Sequence, residues 1–446
     1  MADAPLERTT AAAAYAAARN NPLRRYPAPE RDGARLYPLA SPSAKPSFRL
    51  ERTDRVFTIG SCFARNVESA LQDAGMTVIS NETDLGPVGD SLGNAANFFN
   101  KYSIHSILND LTWALERDSY PGDDILYPLP RGGSYADLQL GMAKLDAPLE
   151  QIRDFRSRYL DVMARAAEAE VVILTLGYVE TWYDRRLGLY LNGSPPQPLV
   201  QEDPDRFEFR VLSYQDVLDA LHAVHALLCR HRDTPPKMLV TVSPVPLLAT
   251  FRDMDVLVAN TYSKSVQRAA LEAFVARTEG VDYFPSYEFV MLSNPAVAWS
   301  RGDYRHVSPD LVARIMSNVI ARYVEGTDGA AMTPEALLAS ARMLFKTEDY
   351  AALDSLAAAN ADLVQGSSEM LVLLGNAALR RRNAEAACAR FEEAHAVAPA
   401  DRGALERLIS VCRPLKRTAR LGELLEVHAG LFPNRTAFRA NFVPKE

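Results

Sequence analysis

The sequence predicts an α/β fold, a parallel sheet covered by helices on both faces, followed by an all-α helical repeat region. Two observations carry this expectation. Between residues 55 and 285, short continuous apolar runs alternate with amphipathic helical patterns, and strands that are apolar throughout, not at every second position, are those buried on both faces. Beyond about residue 330 the strand-like runs stop, and a helix-only pattern with an internal period takes over.

The apolar runs place strands at 55–60, 76–80, 171–177, 238–243 and 281–285. Helical periodicity fills the spaces at 63–74, 104–117, 147–168, 214–231, 257–278 and 309–325, the last opening on Ser308-Pro309, a capping residue followed by proline at the first helical position. Residues 1–50 are rich in Ala, Arg and Pro, with a short Ala-rich helix expected at 10–19, and read as an arm lying on the main domain. The expected division is therefore 1–50, an arm; 51–328, the α/β domain; and 329–446, the helical repeats. In the last region Leu374, Gly375, Ala378, Ala387, Phe391, Ala394 and Pro399 fall at the spacings of a tetratricopeptide repeat, and Pro433 follows Pro399 by one 34-residue period. Such a tail suits a partner protein held in a helical groove; the alternatives are a tail docked on the α/β domain or one that pairs subunits.

Composition narrows the class. A chain of 446 residues, 48% hydrophobic, buries a large core and divides into more than one unit. A net charge of −7 argues against nucleic acid as a partner. No apolar run approaches the roughly 20 residues of a membrane span, and the start, Met1-Ala-Asp-Ala-Pro-Leu-Glu-Arg, has neither a basic nor an apolar leader region, so a cytoplasmic protein is expected. The four cysteines, Cys62, Cys229, Cys388 and Cys412, include no C-x-x-C pair, which argues against a disulfide framework or a zinc knuckle. Three of them read as small buried residues. His222 and His225 share a helix face, but no carboxylate or thiol completes a ligand set, so no metal is expected. No nucleotide or pantetheine motif is present, and no cofactor is expected.

The chemistry concentrates at two places. In Val56-Phe-Thr-Ile-Gly60-Ser61-Cys62-Phe63-Ala64 an apolar strand passes through a small-residue turn directly into a helix. A nucleophile at such a junction stands at a strand's carboxyl end and at the positive end of a helix, where a thiolate or oxyanion is stabilised. Ser61 and Cys62 are both candidates. Near the end of the α/β region, Arg301-Gly-Asp303-Tyr-Arg-His306-Val-Ser-Pro309 sets Asp303 and His306 three residues apart on a turn. There the carboxylate can accept the Nδ1 hydrogen and leave Nε2 as general base.

The order strand–Gly-Ser-Cys–helix first and Asp-x-x-His last resembles the SGNH or GDSL hydrolase superfamily, and Gly60-Ser61-Cys62-Phe63-Ala64 resembles the motif of the GSCFA-domain family placed within it. Asn100-Lys-Tyr-Ser103-Ile, Thr175-Leu-Gly177-Tyr-Val-Glu180-Thr-Trp182, Thr241-Val-Ser-Pro-Val-Pro246, Tyr262-Ser-Lys264-Ser and Tyr283-Phe-Pro-Ser-Tyr-Glu288 also look like that family. The resemblance spans about 45–325. It implies a flavodoxin-like three-layer fold and ester chemistry, often on acylated carbohydrates.

Set against Gly-Asp-Ser of the superfamily, the nucleophile falls on Cys62; a register shifted by one restores Ser61, and the bland alternative makes Ser61 a helix cap and Cys62 a packing residue. The superfamily's Gly-x-Asn-Asp block, aligned on Gly177, meets Val179 where the oxyanion-donating asparagine is expected. Asn97, Asn100, Ser103 or backbone N–H groups must then substitute. Glu180 and Trp182 at the strand end suit a sugar, the carboxylate accepting hydroxyl hydrogens and the indole stacking on a ring; the alternative is a salt bridge to Arg65 or Arg305 with core packing. Lys264 reads as structural or anion-orienting. Three functions follow: a hydrolase of an acylated sugar, glycan precursor or other small ester; an acyltransferase from a thioester to a sugar hydroxyl in surface-polysaccharide biosynthesis; and a non-catalytic binding module.

Overall fold

The computed structural model describes the chain except residues 1–4, 74, 82–83, 92–97, 130–133, 141–143, 146, 301, 325–332 and 443–446. Its contacts divide the chain into two compact units. One comprises Met1–Ser293, Trp299–Val307 and Asn318–Ala330; the other comprises Asn294–Ala298, Ser308–Ser317 and Ala331–Glu446.

In chain order the strands are β1 (Arg55–Gly60), β2 (Thr77–Val78), β3 (Leu126–Pro128), β4 (Tyr135–Asp137), β5 (Lys144–Leu145), β6 (Val171–Leu176), β7 (Glu180–Asp184), β8 (Leu189–Leu191), β9 (Phe207–Val211), β10 (Lys237–Val242) and β11 (Val281–Tyr283). The first unit's helices are α1 (Ala11–Asn20), α2 (Phe63–Asp73), α3 (Gly86–Ser91), α4 (Ile104–Leu115), α5 (Leu149–Ala164), α6 (Gln197–Glu202), α7 (Tyr214–Arg230), α8 (Val256–Arg277) and α9 (Ser286–Met291).

A five-stranded parallel sheet, ordered β11-β10-β6-β1-β2, is the core of this unit. Its members are the five strands expected from the apolar runs. All six residues of β6 are buried, and because successive side chains point to opposite faces, both faces must be covered. Among the covering helices, α2 packs on β1 and β6, and α8 on β10 and β11. The strand order reverses between β1 and β6, one running on to β2 and the other to β10. In open α/β sheets that reversal leaves a crevice beyond the strands' carboxyl ends.

Two small antiparallel sheets, β3-β4-β5 and β8-β7-β9, were not expected from the sequence. All five residues of β9 are half-buried, so it carries neither a continuous nor an alternating apolar signal. Residues 40–50 lie on the unit through backbone N–H donors: Ala40 to Ser293 Oγ (2.9 Å), Ser47 to Asp282 Oδ2 (2.7 Å) and Leu50 to the Tyr323 carbonyl (2.6 Å).

In the second unit the helices include α12 (Pro334–Lys346), α13 (Tyr350–Ala359), α14 (Ala361–Gln365), α15 (Ser368–Arg380), α16 (Ala384–Val397), α17 (Arg402–Cys412), α18 (Thr418–Leu431) and α19 (Thr436–Ala440), after α10 (Pro295–Ala298) and with the first part of α11 (Pro309–Tyr323). The small residues singled out from the sequence pack α15 against α16. A Cβ at Gly375 would stand 2.3 Å from the Phe391 ring, so only glycine admits that ring between the helices. Cys388 and Cys412 are buried here, whereas Cys229 on α7 is only half-buried. No helix among the described residues is long and apolar enough to cross a membrane.

Candidate active site

Gly60 makes the turn out of β1. Its φ of 137° lies where side chains are strained, and a Cβ there would meet the Thr175 carbonyl oxygen at 2.1 Å. Ser61 N–H donates to that carbonyl at 2.9 Å, keeping β1 joined to β6 up to the start of α2. The Ser61 side chain is buried; its Oγ accepts from Phe63 N–H at 3.3 Å and lies 3.2 Å from Thr175 Oγ1. It therefore closes a local serine turn onto the first N–H of α2. Cys62 is exposed and lines a cavity of about 780 Å³ at the carboxyl ends of β1, β6 and β10. Burial by the cavity walls pushes its thiol above the usual range. The N–H groups of Cys62 and Phe63 and the charges of Arg305 and Lys264 pull the other way.

A second wall of the cavity is the segment 100–102. Lys101 N–H donates to the Gly60 carbonyl at 2.6 Å, and Tyr178 N–H to the Tyr102 carbonyl at 2.9 Å, so this segment is stitched between the ends of β1 and β6. Gly177 permits the approach: a Cβ there would stand 2.6 Å from the Tyr102 oxygen. Asn192, just past β8, holds the segment from its other side, accepting from Tyr102 N–H and donating to the Asn100 carbonyl, both at 2.9 Å. Asn100 lines the cavity, and its side-chain Oδ1 is buried without a hydrogen-bond partner. Ser103 does not line it. That hydroxyl caps α4, accepting from Ser106 N–H. Asn97 lies outside the described residues.

Behind the segment, Lys101 is fully buried with Asp110, Arg156 and Asp137. Its ammonium pairs with Asp110, whose carboxylate also takes Arg156 (3.3 Å) and the Tyr159 hydroxyl (2.7 Å); Arg156 Nε faces Asp137 at 3.4 Å. Two buried cations and two buried carboxylates thus fix the backbone that carries Asn100.

Val179, at the aligned position of the missing asparagine, is buried and bonded through its N–H to Ser263 Oγ at 2.9 Å. It offers nothing to an oxyanion. Glu180 and Trp182 both line the cavity, but Glu180 pairs with neither Arg65 nor Arg305. Arg65 is bound to Glu68 at 2.8 Å. Glu180 instead accepts from the Thr250 hydroxyl (2.7 Å) and Phe251 N–H (3.3 Å), clamping the segment after β10. Trp182 packs edge-on with Phe209 and Phe251, ring centroids 5.3 and 5.1 Å away.

Lys264, on α8, is buried beneath the site. Its ammonium donates to the carbonyls of Gly177 (2.6 Å) and Val245 (2.8 Å), and burial lowers its pKa to about 7, with the nearby Cys62 opposing. Its role comes from contacts far apart in the chain, which local sequence does not reveal.

The turn 299–307 is closed by Ser300 N–H to the His306 carbonyl at 2.7 Å. On it His306 Nδ1 donates to Asp303 Oδ2 at 2.6 Å, while Asp303 Oδ1 accepts from the N–H groups of Arg305 and His306, both at 2.9 Å. These bonds, the backbone ones foremost, hold the Asp303 carboxyl down at about 2. The acid–imidazole pair is formed, but among the described residues His306 makes no hydrogen bond to Ser61 or Cys62. Neither member of the pair lines the cavity, whereas Arg305 between them does. Arg305 has no ion-pair partner among the described residues, and its buried Nε is unpartnered. Nor do three or more His, Cys, Asp or Glu side chains among those residues gather so as to hold a metal ion.

The structure thus brings Ser61, Cys62, Asn100, Gly177, Glu180 and Trp182 to one cavity, with Asp303 and His306 flanking Arg305. No curated protein and no solved structure matches the chain. The profile of the GSCFA family matches residues 55–319, more than half of the chain and the whole stretch from the strand before Cys62 to the helix after His306, and the chain belongs to that family.

Proposed function

We propose that the chain is a covalent acyl-transfer enzyme, an SGNH-like ester hydrolase on a flavodoxin-like fold, with Cys62 as nucleophile. The observation that carries this reading is the division of roles at one turn: the Ser61 hydroxyl is buried against Thr175 and the Phe63 N–H, while Cys62 is exposed and faces a cavity of about 780 Å³ at the strand-order reversal. Because the thiol's pKa is raised, it needs a base. His306, oriented through Nδ1 by Asp303, takes the thiol proton at Nε2 once its turn closes on the cavity, since catalytic contacts often tighten only around substrate. The thiolate adds to the ester carbonyl, and the oxyanion is met by the Cys62 N–H and the Asn100 amide. His306 returns the proton to the departing alcohol, leaving a thioester on Cys62. Water, deprotonated by the same imidazole, then releases the acid and restores the thiol. The proposed substrate is an acylated sugar or glycan precursor.

A second reading replaces water by a sugar hydroxyl and the ester by a thioester donor in the cytoplasm. Unpaired Arg305 supports it, since a guanidinium beside the nucleophile suits the phosphates of such a donor. The small-residue packing at Gly375 and Phe391 supports a tetratricopeptide-like scaffold for a partner protein.

The test is intact-mass measurement after incubation with an activated acyl ester, on wild type, Cys62→Ala, Ser61→Ala and His306→Ala. An adduct that disappears only with Cys62→Ala supports the thiol. An adduct lost only with Ser61→Ala moves the chemistry to serine, and its absence from every protein, with turnover equal to that of His306→Ala, leaves a binding module.

A further inference from the structure

We infer that the cavity beside Cys62 is an acyl-chain site, built for an extended apolar acyl group and not for acetyl; this rests on the proposed acyl-transfer reading. The space is the first reason. A cavity of about 780 Å³ is in the range that holds whole drug-sized ligands, far more than a two-carbon group fills.

The lining is the second. Apolar side chains dominate the part formed by β7, β9 and the segment after β10, where Trp182, Phe209, Phe251, Leu247 and Leu248 face the same space. Asn100 Oδ1 and Arg305 Nε also line the cavity and are unpartnered, whereas Glu180 and Asn192 are engaged. Glu180 accepts from Thr250 and Phe251, and the Asn192 amide is spent on Asn100, Tyr102 and Ser106. A sugar there would find few free acceptors, whereas a hydrocarbon chain needs none.

The rim is the third. Leu248 and Phe251 line the cavity and are nevertheless 75% and 62% exposed. Contiguous exposed apolar residues mark a surface that something covers. Its continuity with the cavity names the cover as the distal part of the same chain, its carbonyl at Cys62.

Each buried methylene contributes about fourfold in binding. Octanamide, which cannot turn over readily, is therefore expected to bind wild type on the order of 100-fold more tightly than butanamide, by calorimetry. Trp182→Ala and the exposed-loop variant Leu248→Asp should each reduce that ratio severalfold. A ratio near unity, or one that neither variant alters, overturns the inference. In parallel, acetyl, butanoyl and octanoyl p-nitrophenyl esters are compared for acylation of Cys62 by mass. Preference for octanoyl supports both ideas. Equal acylation by all three with equal amide binding removes the chain site and leaves acyl transfer standing. Tight octanamide binding without acylation removes acyl transfer and leaves the chain site standing.

Discussion

Lys264 donates to the carbonyl of Gly177 at 2.6 Å, so a buried ammonium braces the end of β6 opposite Cys62. Burial holds this group at about 7, while in the unfolded chain it titrates near 10.4. Between those values the unfolded chain binds the extra proton, so the contribution of Lys264 to stability is least favourable below pH 7 and improves as pH rises toward 10. The stability of wild type minus that of Lys264→Met, from urea unfolding, is expected to increase across pH 7–10. A flat difference would mean that the ammonium is not desolvated as described.

Cys62 is the exposed cysteine, and the charge of Arg305 lowers its pKa against the upward push of burial. Removing that charge raises the thiol's pKa further and shrinks the thiolate fraction. Iodoacetamide should therefore label Cys62 more slowly in Arg305→Ala at pH 8, by roughly threefold, with the gap closing at high pH. Peptide mass spectrometry over time reads both.

The buried group of Lys101, Asp110, Arg156 and Asp137 balances two cations with two carboxylates. Asp110→Leu strands a cation, and loss of one member of a buried pair costs about 3–5 kcal/mol. The double change Lys101→Met with Asp110→Leu should cost much less than the sum of the single changes. Urea midpoints for the four proteins of the cycle give the coupling.

His105 lies against Tyr190 with its ring centroid 4.2 Å away, and its Nδ1 is buried without a partner. Burial lowers its pKa to about 4. From its unfolded value of about 6.5 down to 4, the unfolded chain binds the proton first, so this histidine's share of stability is lost as pH falls through that window. His105→Phe should flatten acid destabilisation between pH 6.5 and 4 in thermal melts. An unchanged acid limb would show that the ring is protonated in place.

What was legible in the sequence was local. The central strands β1, β6 and β10 read as apolar runs because they are buried along almost their whole length, and Asp303 and His306 meet because three residues on a turn bring them together. Gly375 was readable because a repeat period predicts where a ring must pass. The antiparallel wall was not, since β9 is half-buried at every position and lacks a pattern. Nor was the clamp from Glu180 to Phe251, the strut from Asn192 or the burial of Lys264, each of which joins segments tens of residues apart.

The cavity draws its reactive end and its apolar wall from different parts of the chain. Cys62 follows β1, an interior strand of the parallel sheet, at its carboxyl end, whereas Trp182, Phe209 and Phe251 belong to excursions between β6 and α7 and between β10 and α8. Insertions of that kind can be lengthened, shortened or recoloured without disturbing the strands beneath them. On the proposed reading, related chains keep one chemistry and diverge in what they accept, and grafting the 180–211 excursion with Glu180 and Asn192 retained transfers ligand preference while leaving Cys62 in place.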